Sequence, residues 1–128
     1  MVDGSIKRRN KAQMIDPTNP ARKPASILVV GGAGYIGSHM VKALSRAGHK
    51  VTTLDNLSSG HRDAVLSGEL IEGDLCDKNL LVQVLSKGFD GVMYFASSIQ
   101  VGESVRRPHL YYQNNVAHTI KLLNAIEL

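Results

Sequence analysis

The chain has 128 residues, 43% of them hydrophobic, which suits about one soluble domain with a modest core. No apolar run approaches the roughly 20 residues of a membrane span, and the single Cys76 excludes an internal disulfide and fits a reducing, cytoplasmic setting. The formal charge of +4 is confined to residues 1–25, where six Lys and Arg meet two Asp; the rest of the chain balances to zero and carries no electrostatic footprint for nucleic acid.

Residues 1–25 hold three of the four prolines, clustered charge and no apolar periodicity, so they read as a disordered basic leader. "KRRNK" (Lys7 to Lys11) reads as part of that solvated leader. No apolar core of a secretory signal accompanies it.

From Ser26 the texture changes. "SILVV" (Ser26 to Val30) is β-branched and bounded by glycines, which predicts a strand buried on both faces. Ile36 to Ala47 has helical spacing, with Ile36, Met40, Ala43, Leu44 and Ala47 on one face and Gly48 as the stop. Lys50 to Leu54 is a second strand and Glu69 to Glu72 a third. Leu75 to Lys87 reads as a helix with Asp77 as N-cap and Gly88 at its end. Gly91 to Phe95 is a fourth strand. Pro108 to Leu128 reads as one long helix, with Leu110, Asn114, Ala117, Lys121, Leu122 and Ala125 near one side. Alternating strands and helices of this kind predict an α/β, doubly wound parallel sheet of about four strands over residues 26–128.

"VVGGAGYIGSH" (Val29 to His39) sits between the first strand and the first helix. Gly32, Gly34 and Gly37 make G-x-G-x-x-G, and Gly31, Gly34 and Gly37 repeat at every third position. A strand before and a helix after are the context that a dinucleotide fingerprint requires. The first glycines allow the tight turn, Gly34 leaves room for a pyrophosphate, and Gly37 lets the helix pack close. Free N–H groups and the helix dipole then face the anion. A nucleoside-triphosphatase loop is excluded, because Ser38 and His39 stand where Lys and Ser or Thr are needed.

Asp55 closes the second strand, 21 residues after Gly34. A carboxylate there accepts hydrogen bonds from the adenosine ribose and repels a 2′-phosphate, which favours NAD over NADP. Its plain alternative is a turn cap before Asn56, and nearby Arg62 is the one feature that could soften the cofactor preference. Asp74 follows the third strand. It reads equally as an acceptor for the adenine amino group and as a helix-capping neighbour of Asp77.

These stretches resemble the extended short-chain dehydrogenase/reductases and, more narrowly, the N-terminal part of the UDP-glucose 4-epimerase family. The resemblance rests on "GGAGYIGSH", "DNLSSG" (Asp55 to Gly60), "GDLCD" (Gly73 to Asp77), "FASSIQVGESV" (Phe95 to Val105) and "PHLYYQNNVAHTIKLLNAI" (Pro108 to Ile126). It implies NAD contacts at Tyr35 and Ile36 and at Asp55, Asn56, Leu57, Ser58, Ser59 and Gly60. It further implies contacts at Asp74, Leu75, Phe95, Ala96, Ser97, Ser98 and Ile99, and at Asn114. Some members carry Lys where this chain has Ile99, which puts a side-chain contact there in question. Val101 and Gly102 are implied near the sugar.

In such enzymes NAD takes a hydride from C4 of a UDP-sugar and returns it to the other face, a reaction of galactose metabolism. A Tyr of a Y-x-x-x-K motif serves as base. Here His39, Ser98, Asn115 and Val116 follow Tyr35, Tyr94, Tyr111 and Tyr112 by four residues, so the motif is absent. The chain is therefore expected to be the cofactor-binding portion of an epimerase, without catalytic residues and inactive by itself. Sugar-nucleotide dehydratases or decarboxylases and a non-catalytic NAD module are the alternatives. A homodimer through the long helix is the implied assembly, and no metal is expected.

Overall fold

The computed structural model describes residues 23–96 and 105–127. The basic leader up to residue 22 lies outside them, as do Ser97, Ser98, Ile99, Val101 and Gly102.

Four strands, β1 (Ser26–Val30), β2 (Lys50–Asp55), β3 (Glu69–Glu72) and β4 (Gly91–Tyr94), form one parallel sheet in the order β3-β2-β1-β4. Register aligns Val30 with Leu54 and with Tyr94, and Asp55 with Glu72, so the carboxyl ends of all four strands meet at one edge. The chain builds outward from β1 through β2 to β3 and then returns to place β4 on the other side of β1. That reversal creates a crevice beyond the ends of β1 and β4.

Alternating residues of β1 serve two cores. Leu28 and Val30 join Leu54, Leu75, Leu81, Val84 and Leu122 on one side of the sheet. Val29 joins Val41 and Val51 on the other. The second core is covered by helix α1 (Tyr35–Arg46). The first is covered by α2 (Lys78–Leu85) and by α4 (His118–Ile126). The result is the expected α/β sheet with helices on both faces. No helix among the described residues is long and apolar enough to cross a membrane.

Three expectations need correction. The buried positions of α1 are Gly37 and Val41, while Ile36 is 58% exposed and Ala43 and Ala47 are exposed. Gly37 approaches the backbone of Gly31 so closely that it dictates which face turns inward. Next, α2 begins at Lys78, not Leu75. Asp77 caps it with non-helical φ −78° and ψ 94°, accepting the Leu80 N–H, so the helix cannot extend before its own cap. Leu75 and Cys76 instead form a turn closed by the Asp74 side chain. Last, the long helix is interrupted: α3 (Pro108–Tyr112) opens with Pro at its first turn, and a π-helical turn (Gln113–Ala117) separates it from α4. Within that turn the Asn114 carbonyl accepts the Tyr94 hydroxyl at 3.3 Å and the Asn115 carbonyl accepts the Thr119 hydroxyl at 2.8 Å. Side chains thus take up carbonyls that the wide turn frees. Leu110 and Lys121 are exposed, while Asn114, Ala117, Leu122 and Ala125 turn inward to different degrees.

Candidate functional site

The crevice at the sheet edge has a volume of about 430 Å³. The glycine loop forms its floor. Gly31, with φ +81°, turns the chain off β1, and a Cβ there would lie 2.6 Å from Ala96 N and from the Phe95 carbonyl carbon. At Gly37 a Cβ would lie 2.1 Å from the Gly31 carbonyl oxygen. Both glycines are demanded by the protein's own packing.

Gly34 is different. Its φ of −76° and ψ of 176° suit any residue, and a Cβ would meet nothing closer than the Gly31 carbonyl oxygen at 3.5 Å. Gly34 lines the crevice, so that Cβ would take up space in the cavity rather than clash with the fold. It is also the N-cap of α1, where no side chain caps the helix and no acidic residue occupies the first turn. The helix start therefore offers N–H groups and the positive end of its dipole without a competing anion.

Asp55 locks this loop in place. Its Oδ2 accepts the Ala33 N–H at 2.9 Å and its Oδ1 accepts the Leu57 N–H at 2.8 Å. From the other side the Ala33 carbonyl accepts the His61 N–H at 3.1 Å, and Gly60 packs against Ala33 so tightly that a Cβ would lie 2.7 Å from the Ala33 carbonyl carbon. The bond to Leu57 is the turn cap that the sequence allowed as the plain alternative, so Asp55 fills that role as well. Leu57 has φ +56°, in the left-handed region that costs a non-glycine residue about a kcal/mol or more. That conformation reverses the chain so that Asn56, Ser58 and Ser59 line the crevice.

Asp74 enters from the end of β3. Its Oδ1 accepts the Cys76 N–H at 2.7 Å and its Oδ2 accepts Asn56 Nδ2 at 3.2 Å. The Cys76 N–H holds its carboxyl below the usual carboxylate range, against a partial burial that pushes the other way; Asn56 and the nearby His118 add to the lowering. Its link to helix α2 is indirect, since Asp77 supplies the cap.

Of the residues expected at a cofactor, the crevice wall brings together Gly31, Gly34, Asp55, Asn56, Ser58, Ser59, Asp74, Leu75, Phe95, Ala96 and Asn114. Tyr35, Ile36, Gly37, Leu57 and Gly60 are off the wall, with Tyr35 83% exposed at the helix start. Gly37 and Gly60 act behind the wall by permitting close approach. Asn114 also ties the long helix to β4, because its Nδ2 donates to the Ala96 carbonyl at 3.0 Å. Arg62 is engaged in an ion pair with Glu72.

Tyr111 and His118 also line the crevice and were not foreseen. Their spacing from Asn114, three residues before and four after, places them on its helical face, so that face was the available signal.

A parallel sheet whose glycine loop feeds an uncapped helix at the strand-order reversal, with a carboxylate closing the second strand, defines a Rossmann-type dinucleotide-binding fold. A family model described as the NAD dependent epimerase/dehydratase family matches residues 27–128, and the chain belongs to that family, whose cofactor is NAD. The UDP-glucose 4-epimerase of Rhizobium leguminosarum bv. trifolii is 46% identical over 103 residues, covering 80% of this chain and 32% of that protein. The crystal structure of UDP-glucose 4-epimerase from Brucella ovis in complex with NAD superimposes with a TM-score of 0.77 at 48% identity, over 79% of this chain and 31% of that one. The Thermotoga maritima UDP-glucose 4-epimerase solved with UDP-glucose gives 0.71 at 34% identity, over 78% and 33%. The chain thus spans about a third of the length of the relatives it matches.

Proposed function

We propose that this chain is the NAD-binding part of a UDP-glucose 4-epimerase. The observation that carries the reading is Gly34, a glycine that the fold does not require, placed at an uncapped helix start on the crevice wall. A dinucleotide pyrophosphate is the anion that would use that space. Asp55 would accept the adenosine ribose hydroxyls through lone pairs left free by its two backbone bonds. Asn56, Ser58 and Ser59 would surround the ribose, and Asp74 and Leu75 would border the adenine. Phe95 and Ala96 would lie along the middle of the cofactor with Asn114 beside them, and the resemblance implies contacts at Ser97, Ser98 and Ile99 as well. Gly31 and Gly37 hold the loop that makes the approach possible, Leu57 and Gly60 shape the same stretch of chain from behind the wall, and Tyr35 and Ile36 would meet the cofactor from the exposed helix start.

With Arg62 paired to Glu72, no free cation stands beside Asp55 among the described wall residues, which favours NAD over NADP. Bound NAD would supply the hydride acceptor and donor for reversible oxidation at C4 of a UDP-sugar, an isomerase reaction of galactose metabolism. The proton transfer needs a Tyr/Lys pair that these 128 residues do not present as Y-x-x-x-K. We place that pair, the sugar subsite and any homodimer contact in the rest of a cytoplasmic enzyme about two and a half times as long.

Calorimetric titration tests the reading. The chain should bind NAD at a single saturable site and should not interconvert UDP-glucose and UDP-galactose. Absence of NAD binding by a chain with the circular dichroism of a folded α/β protein would refute it.

A further inference from the structure

Beside the crevice three different donor groups converge. Cys76 Sγ lies 2.9 Å from His118 Nε2, and one donor atom each of Asp74, Cys76 and His118 falls within 4.8 Å of the other two. The first two residues come from the turn between β3 and α2, and the third from the first turn of α4.

Two of the donors are oriented from behind. Asn114 Nδ2 donates to the Ala96 carbonyl, which points its Oδ1 at His118 Nδ1, 3.2 Å away. An acceptor at that distance places the imidazole proton on Nδ1 and leaves the Nε2 lone pair facing Cys76, the tautomer that a metal ligand needs. Asp74 is held by Asn56 Nδ2 and by the Cys76 N–H. Sulfur, imidazole nitrogen and carboxylate oxygen together form a zinc-type donor set.

We propose that Asp74, Cys76 and His118 form a three-ligand site for a zinc-like divalent cation, with its fourth position open to the crevice or to solvent. Bonds of about 2.0–2.3 Å at tetrahedral angles put neighbouring donors about 3.3–3.8 Å apart. The Cys76–His118 separation of 2.9 Å then has to widen by about 0.6 Å to suit bonds of about 2.3 and 2.0 Å, which side-chain torsions supply. Binding converts the Cys76 thiol to a metal-bound thiolate and releases its proton to solvent. The Lys121 ammonium, 3.6 Å from the sulfur on an exposed and long side chain, swings away as the cation arrives. The inference does not rest on the nucleotide reading, and its test uses metal alone.

Cobalt(II) is the probe, added to the reduced 128-residue chain without nucleotide. Cys76 is the chain's single cysteine, so a thiolate-to-cobalt band in the near ultraviolet identifies it. The expected result is a saturable one-to-one titration with that band, reversed by zinc. Cys76→Ser should abolish the band, and His118→Gln should weaken apparent affinity at least tenfold, since loss of even an outer partner of a ligand costs about 10–100-fold. Lys121→Ala, a change at an exposed position, should strengthen binding by removing the cation beside the sulfur. Failure of the folded wild-type chain to develop the band in excess cobalt would overturn the proposal, without recourse to any variant. A band unchanged in a folded His118→Gln chain, or binding weakened by Lys121→Ala, would overturn it too.

Discussion

Gly34 and Gly37 lie three residues apart in one motif, and the structure assigns them different duties. Substituting each by Ala separates the two. At Gly37 the new methyl would lie 2.1 Å from the Gly31 carbonyl oxygen and 2.9 Å from Gly32 Cα, both backbone atoms that cannot step aside. Overpacking against fixed atoms costs about 3 kcal/mol at the upper end of its usual range. The better helix propensity of Ala returns about 1 kcal/mol, so a net loss of about 2 kcal/mol is expected, or about 8–16 °C in melting temperature for a domain of this size. At Gly34 the methyl would meet nothing closer than 3.5 Å. Restricting the unfolded chain stabilises by about 0.4–1 kcal/mol, and Ala is poorer than Gly as an N-cap by a similar amount. Stability should therefore stay within about 1 kcal/mol of the parent. NAD affinity should fall at least tenfold, about 1.4 kcal/mol, because the methyl occupies the cavity at the helix start. Thermal melts and calorimetric titration of the three chains make the comparison. The reasoning fails if Gly34→Ala melts as low as Gly37→Ala, or if it binds NAD as the parent does.

Cofactor choice offers a second check: NAD should bind at least tenfold more tightly than NADP, and Glu72→Ala, which releases Arg62 from its ion pair, should narrow that gap in the same titration. Thr53 is fully buried and its Oγ1 has no hydrogen-bond partner among the described residues, so Thr53→Val should raise unfolding free energy by about 1 kcal/mol in denaturant titrations; a lower value would reveal a partner for the hydroxyl. Asp74 has a folded-state pKa below its ordinary value, so its stabilisation is present above pH about 4, where the unfolded carboxylate is ionised, and is lost as pH falls through the lower folded value. Asp74→Asn should make the acid limb of the stability profile shallower, and an unchanged limb would contradict the assignment.

The four strands and the glycine loop were legible because their signals are local. A β-branched run before glycines, the 3.6-residue period and a glycine after each of the first two helices need no tertiary information, and Gly48 and Gly88 do adopt positive φ. The face of α1 was not legible, because it is set by the close approach of Gly37 to Gly31 rather than by the apolar stripe through Ile36. Nor was the π-helical turn: it depends on Tyr94, which reaches the Asn114 carbonyl across 20 positions of sequence. The wall followed the same rule. Asp55 and Gly34 announce themselves by spacing, whereas His118 reaches the crevice through a helix whose phase changes at that turn.

The two carboxylates on the wall are better understood as parts of the scaffold that keep acceptor capacity in reserve. Asp55 spends one oxygen on the glycine loop and the other on the turn at Leu57, so the loop and the neighbouring wall move together. Asp74 repeats the arrangement one strand further out, joining Asn56 to the turn at Cys76. Asn56, bonded to Asp74 and next in the chain to Asp55, joins the two acids into one continuous rim across the ends of β2 and β3. A carboxylate oxygen with one backbone donor still has a lone pair for a second, so a rim built to hold its shape can also accept hydroxyl and amino donors from a ligand. Positions fixed before binding lower the ordering cost of binding. That is why the carboxylates that a nucleotide would meet are also the ones that organise the site.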